Sequence, residues 1–209
     1  MSESLIIVFV KNATLGKVKT RLAKTIGNKN ALYIYKTLVK ITENATNNSP
    51  IDKHIYFSET IDETLWKNTP KYTQKGINLG ERMKNAFQKG FHDGYKHIVL
   101  IGTDLPDITT SHLQQSFNHL KNNTVVLGPA QDGGYYLIGL SKMITFIFNN
   151  KPWSKPNLLE NTINELKDKK IAFTTLNTLN DIDTFQDLVT SKLYQSNTKL
   201  QETIKQKHD

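Results

Sequence analysis

The chain has 209 residues, 37% of them hydrophobic, and a formal net charge of +8 from 27 Lys and Arg against 19 Asp and Glu. That length suits one α/β domain over residues 1–209, and the 0 cysteines exclude disulfides, cysteine zinc sites and thiol catalysis. No apolar run approaches the ~18 to 20 residues of a membrane span, and Met1-Ser2-Glu3-Ser4 lacks the basic start of a secretory signal, so a cytoplasmic protein is expected.

Leu5 to Val10 is a continuous apolar, β-branched run, the pattern of a central strand covered on both faces. It opens into the loop Lys11-Asn12-Ala13-Thr14-Leu15-Gly16, and a helix can start within Lys17 to Ala23. A strand, a glycine loop and a basic helix start form a sensible anion site, with Lys19 and Arg21 adding charge and a fork of donors. A solvated helix start fits the same residues. The glycine and lysine spacing is not that of a Walker loop.

Asn28 to Asn44 has helical periodicity. His54 to Phe57 reads as a short strand, Thr60 to Asn68 as a short helix, and Tyr72 to Gln74 as a strand end. His54 reads as structural. Gly76 and Gly80 flank the entry to a helix over Glu81 to Gly90, where backbone can approach a flat ligand or simply turn. Ile98 to Ile101 is a buried-strand run that breaks at Gly102-Thr103-Asp104-Leu105-Pro106. It delivers Asp104 to the strand's tip, where α/β sheets present ligand groups. Thr109 or Ser111 can cap a helix through Leu120, with His112 and His119 on its surface.

Thr124 to Gly128 is the next strand. Pro129 to Gly134 is a permissive turn holding Asp132, and Tyr135 to Leu140 returns as an antiparallel strand. Ser154 fits as the N-cap of a helix to Leu166 with Pro156 in its first turn; Trp153 beside it can stack on a ligand or pack as a staple. Ile171 to Leu176 is a last strand. Asn180-Asp181-Ile182-Asp183 offers acids that can reach Asp104 or favour a helix N-terminus, and Thr184 opens a long terminal helix. That helix packs on the domain or extends from it. Leu193 and Leu200, seven apart, permit a homodimer contact or an exposed face. About seven strands with helices between them imply a doubly wound, mostly parallel mixed sheet with helices on both faces. No aromatic-interleaved basic stripe accompanies the charge excess, so no nucleic-acid partner is expected.

The runs GKVKTRL, NLGERM, IGTDLPDIT, GPAQDGGYYLIGL, PWSKPNLLENT and DIDTFQDL, in that order, resemble a bacterial family of uncharacterised glycosyltransferases. The family belongs to the nucleotide-diphospho-sugar transferase superfamily with the glycosyltransferase A fold, and some members are associated with arsenosugar biosynthesis. The resemblance covers Leu5 to about Leu188. It implies that Lys19 and Arg21, in the cluster with Lys11 and Gly16, bind nucleotide phosphates, and that Gln74 and Gly80 lie near the base. Asp104, with Asp183 second, would hold Mg²⁺ or Mn²⁺. Asp132, Gly133 and Gly134 would line the sugar or acceptor side, with Trp153 closing it. The motifs also resemble nucleotidyltransferases, whose style "TDLP" follows more closely than the Asp-x-Asp of many glycosyltransferases. The expected ligands are therefore a nucleotide sugar or a nucleoside triphosphate, with a small-molecule acceptor. For inverting transfer Asp132 is the candidate general base. A non-catalytic nucleotide-binding module is the remaining reading.

Overall fold

The computed structural model describes residues 2–205. Among them seven strands form one mixed sheet, in the order β3-β2-β1-β4-β6-β5-β7. β1 is Ser4–Val10, β2 Asp52–Phe57, β3 Lys71–Thr73, β4 His97–Ile101, β5 Val125–Pro129, β6 Tyr135–Leu140 and β7 Phe173–Thr175. β1 pairs in parallel with β2 on one side and β4 on the other. β6 runs antiparallel to both β4 and β5, so it alone points the other way.

Side chains alternate across a strand, and β1 shows what each face packs against. Ile6, Val8 and Val10 join a core with Tyr35 and Val39 of α1 (Thr20–Asn47) and Leu113 and Phe117 of the helix Thr110–Leu120. Leu5, Ile7 and Phe9 face Met83, Ala86 and Phe87 of α2 (Leu79–His92). Numbering continues with α3 (Thr110–Leu120), a 3-10 turn at Phe146–Phe148, α4 (Leu158–Asp168), α5 (Phe185–Thr190), α6 (Lys192–Gln195) and α7 (Thr198–Lys205). Helices thus cover both faces of the sheet. No helix among the described residues is long and apolar enough to cross a membrane.

α1 is two rods joined at Gly27, whose φ of 79° and ψ of 158° interrupt the helix. The first rod supplies Leu22 and Ile26 to a third core with Ile182, Leu188, Leu200 and Ile204. The chain's tail is therefore folded back against the start of α1.

Five local expectations are corrected. Thr60 to Asn68 is a run of turns rather than a helix. Trp66 is fully buried at φ 41°, its backbone N–H donating to Glu43 Oε1 at 2.6 Å and its indole to Thr46 Oγ1 at 2.8 Å. Those tertiary bonds outweigh local helical preference. Ser154 does not cap α4; it has φ 62°, and the helix starts four residues later with Asn157 at the N-cap. The terminal helix is broken into α5, α6 and α7, because the extended Ser191 ends one and caps the next. Leu200 is buried against α1 and Leu193 packs on the same core, so that pair is spent inside the chain. His112, expected on the surface, is partly covered: its Nδ1 lies 2.8 Å from Thr109 Oγ1 in a capping box at the start of α3.

Candidate active site

All parallel strands end at one edge of the sheet. The chain leaves β1 to one side, toward β2, while β4 is added on the other, so the crevice between the β1 and β4 tips is the topological switch point where open α/β sheets bind ligands. A cleft of about 690 Å³ opens there.

Its frame is built by hydrogen bonds between loops. Tyr35, buried on α1, donates its hydroxyl to Lys11 O at 2.7 Å and accepts from Lys11 N at 2.9 Å, and lies 3.1 Å from Thr103 Oγ1. One side chain thus ties the tip of β1 to the tip of β4. Asn12 accepts from Ser58 Oγ at 3.1 Å and Glu59 N at 2.9 Å, fixing the loop after β1 to the loop after β2. The segment before α5 joins through Ile182 N, which donates to Asp104 O at 3.1 Å.

The charges converge at this frame. Lys19 caps α1 in the left-handed region, with φ 47° and ψ 45°, and turns its ammonium onto both Asp104 and Asp183, 3.0 Å from Asp183 Oδ1. Its side chain is only 4% exposed. Burial alone pushes its pKa down, yet Asp104 and then Asp183 hold it above the ordinary lysine value. Arg21 pairs with Asp183 as well. Burial pushes Asp183 upward, but Lys19 and Arg21 outweigh it, and the carboxyl stays below the usual range.

Asp181 is the opposite case. Burial, with Asp132 and Asp183 nearby, raises its pKa to about 6. It lines both the main cleft and an adjoining pocket of about 270 Å³ that Arg21, Asp132 and Asp183 also border. Sequence reading grouped Asp181 with Asp183 but singled out only Asp183; the spacing of two along an extended segment was the signal that both could be presented together.

Of the residues singled out in the sequence, Lys11, Gln74, Asp104, Asp132 and Gly134 line the main cleft. Gln74 Nε2 donates to Tyr56 O at 3.0 Å, and Asp132 Oδ1 accepts from Gly134 N at 2.8 Å. Lys19, Arg21 and Asp183 form the ion-pair network beside it. Gly16, Gly80, Gly133 and Trp153 are not among the residues lining the cleft. Gly16 is a turn near the Asn28 side chain. A Cβ on Gly80 would overlap Phe148 O and lie 2.8 Å from the Trp153 indole, so these two pack on each other. Trp153 also meets Tyr135 edge-on, with ring centroids 6.4 Å apart. Gly133, at φ 85°, sits against Pro156 at the approach to α4.

The cleft has residues that the sequence did not flag. Arg82 and Lys155 add two cations to Lys11, while Phe9, Leu79, Met83, Leu100 and Ile138 give an apolar wall. In that wall the buried Tyr135 hydroxyl has no hydrogen-bond partner among the described residues.

Asp104 and Asp183 offer carboxylate oxygens to one shared positive charge, the donor chemistry a hard cation such as Mg²⁺ or Mn²⁺ prefers, and the Lys19 ammonium stands in that position. Among the described residues no group of three or more His, Cys, Asp or Glu side chains is arranged to hold a metal ion.

This sheet, with its antiparallel β6 and its switch-point cleft, is the nucleotide-diphospho-sugar transferase fold. A candidate nucleotide-diphospho-sugar transferase from Desulfovibrio desulfuricans G20 is 32% identical, with 99% of this chain and 98% of that one covered and a TM-score of 0.90. Two more distant structures share the fold. The inositol-1-phosphate CTP transferase from T. maritima is 15% identical, with 98% and 96% covered and a TM-score of 0.54. A Mycobacterium tuberculosis H37Rv protein in complex with manganese is 11% identical, with 88% and 95% covered and a TM-score of 0.51. No curated protein matches the chain. Residues 41–155 match the model of a bacterial family described as an uncharacterized protein conserved in bacteria, DUF2064, and the chain belongs to that family.

Proposed function

We propose that the protein is a metal-dependent transferase that takes a nucleotide-sugar donor and glycosylates a small-molecule acceptor. The observation that carries this reading is the position of Asp104. It follows β4 at the switch point, on the wall of a 690 Å³ cleft that holds both cations and an apolar surface. The resemblance to the Desulfovibrio protein, by its description, supports the same class.

In this reading Lys11, Lys19 and Arg21 hold the diphosphate, and the α2 side of the cleft, with Gln74, takes the base. A divalent cation on Asp104 and Asp183 would supply charge neutralisation on the departing nucleoside diphosphate. Lys19 and Arg21 oppose the same developing charge as cationic donors to the phosphates, which lowers the barrier most in a site that excludes water. Asp132 lines the cleft in the same turn as Gly134 and accepts the acceptor's hydroxyl proton as it attacks. The manganese complex of the Mycobacterium protein is consistent with a hard-cation site in this fold.

Two observations favour nucleotidyl transfer instead. Pro106 follows Asp104 at the second position where an Asp-x-Asp pair would have its other acid, and Lys11, Arg82 and Lys155 together suit a triphosphate. The test is a melting-temperature screen of nucleotide sugars and nucleoside triphosphates with and without Mn²⁺, since a ligand that binds only the folded state raises the melting temperature. A Mn²⁺-dependent rise with one nucleotide sugar above its bare diphosphate supports sugar transfer. A rise with a triphosphate alone, followed by pyrophosphate release, replaces it with nucleotidyl transfer. If Asp104→Asn leaves the metal-dependent rise intact, the metal assignment is wrong.

A further inference from the structure

Lys19 occupies the place that its two acidic partners would offer to a divalent cation. Its ammonium is nearly sealed from solvent and lies between Asp104, at the tip of β4, and Asp183, just before α5. We infer that Lys19 is a tethered competitor for the divalent cation, so that the site takes the cation only together with the phosphates of its nucleotide. This rests on the assignment of Asp104 and Asp183 to the cation.

Charge balance carries the inference. Asp104 and Asp183 contribute two negative charges, and Lys19 and Arg21 two positive ones, so these four groups balance among themselves, with Asp181 close to Asp183. A free divalent ion brought between Asp104 and Asp183 must displace the Lys19 ammonium and leave it without its anionic partners in a buried position, which is unfavourable. A nucleoside diphosphate arriving with the ion restores the balance and gives the displaced ammonium a new anionic partner. Arg21 remains on Asp183 meanwhile, from a side chain that is 66% exposed and already reaches solvent.

Backbone geometry points the same way. Lys19 is a non-glycine residue at φ 47°, which is disfavoured for an L-residue unless its surroundings hold it. Here the ion pairs hold the side chain, and Ala23 N donating to Lys19 O at 2.8 Å holds the carbonyl. Releasing the ion pairs removes the side-chain restraint, so Lys19 is set to leave when a better cation and an anion arrive together. It also contributes no side-chain cap to α1, so its departure removes no cap there.

The experiment is a Mn²⁺ titration followed by electron paramagnetic resonance, without nucleotide, on wild type, Lys19→Met and Lys19→Gln. Both variants are expected to bind free Mn²⁺ at least about tenfold more tightly than wild type, and Asp104→Asn in the Lys19→Met background is expected to remove the gain. Equal Mn²⁺ affinity in wild type and variants, still lost with Asp104→Asn, overturns the competitor role while leaving the metal assignment standing. Absence of Mn²⁺ binding in all of them, with or without pyrophosphate, overturns both. A second measurement uses wild type alone and so does not depend on how the variants fold. Pyrophosphate and Mn²⁺ together are expected to raise the melting temperature by more than the sum of their separate effects, because coupling between two ligands is reciprocal. Merely additive shifts contradict the inference.

Discussion

Gly133→Ala tests whether the paired glycines after Asp132 serve packing or the ligand. Gly133 has φ 85°, where alanine is strained by about 1 kcal/mol. Its new Cβ would also overlap the Pro156 carbonyl and come within 2.8 Å of Pro156 Cα, all backbone that cannot swing aside. Overpacking of that kind costs about 1–3 kcal/mol, giving about 3 kcal/mol in all. Leu159 N also donates to Gly133 O at 2.9 Å, so a shift of residue 133 disturbs the first turn of α4. For 209 residues, an unfolding entropy of about 2.1 cal/mol/K per residue converts 3 kcal/mol to a fall of about 7 °C in melting temperature. Gly134→Ala is the control. Its Cβ would meet only the Asp132 carboxylate, at 3.1 Å, and its φ is outside the left-handed region, so the fall should stay below about 2 °C. Calorimetry on both variants reads the difference. If Gly133→Ala melts within 2 °C of wild type, or Gly134→Ala falls as far, the assignment of Gly133 to packing is refuted.

Glu43→Ala should cost about 2–3 kcal/mol by denaturant titration, because Glu43 is buried and its loss leaves the Trp66 N–H without an acceptor. Tyr35→Phe removes the hydroxyl that joins Lys11 to Thr103; a loss of about 1–3 kcal/mol is expected, with faster amide exchange at Lys11, and an unchanged exchange rate would show that the hydroxyl does not hold the loop. Asp181 has its pKa raised to about 6 in the folded chain. The folded state therefore keeps a proton there that the unfolded chain has already released, so stability contributed by this group falls as pH rises from about 4 to 6. Asp181→Asn should flatten that slope and stabilise the protein near pH 8, on the order of 1 kcal/mol once partial exposure is discounted; an unchanged slope between pH 4 and 6 would contradict it.

Much of the sheet is written in short-range pattern. Leu5 to Val10 and Ile98 to Ile101 are continuous apolar runs, and both are strands with buried residues on both faces. The antiparallel return near Tyr135 follows from a tight turn of Asp132, Gly133 and Gly134 between two such runs. What local pattern misses is set by distant partners. Trp66 takes positive φ where Glu43 and Thr46 bind it, which its residue type does not advertise. The same holds at the cleft. Lys19, Asp104 and Asp183 each stand out in the sequence, one as a phosphate ligand and two as metal ligands. Their mutual ion pairs join positions more than eighty residues apart, which no local spacing encodes. The raised pKa of Asp181 has the same origin, since it arises from burial beside two other acids.

The folding back of the tail onto the first rod of α1 has a consequence for the order in which the molecule is made. Leu22 and Ile26, just beyond Lys19 and Arg21, find their core partners in Ile182, Leu188, Leu200 and Ile204. Lys19 and Asp183 are separated by 164 positions along the chain. On a ribosome adding about 5–20 residues per second, β1 through β6 are synthesised well before the acid that both cations share. Lys19 can meet Asp104 once β4 has been made, but its second partner, which is also Arg21's partner, comes only in the last stretch of synthesis. A chain that terminates before Asp183 retains the strands of the central sheet but lacks this closing contact, so completion of translation itself decides when the ion-pair network beside the cleft closes.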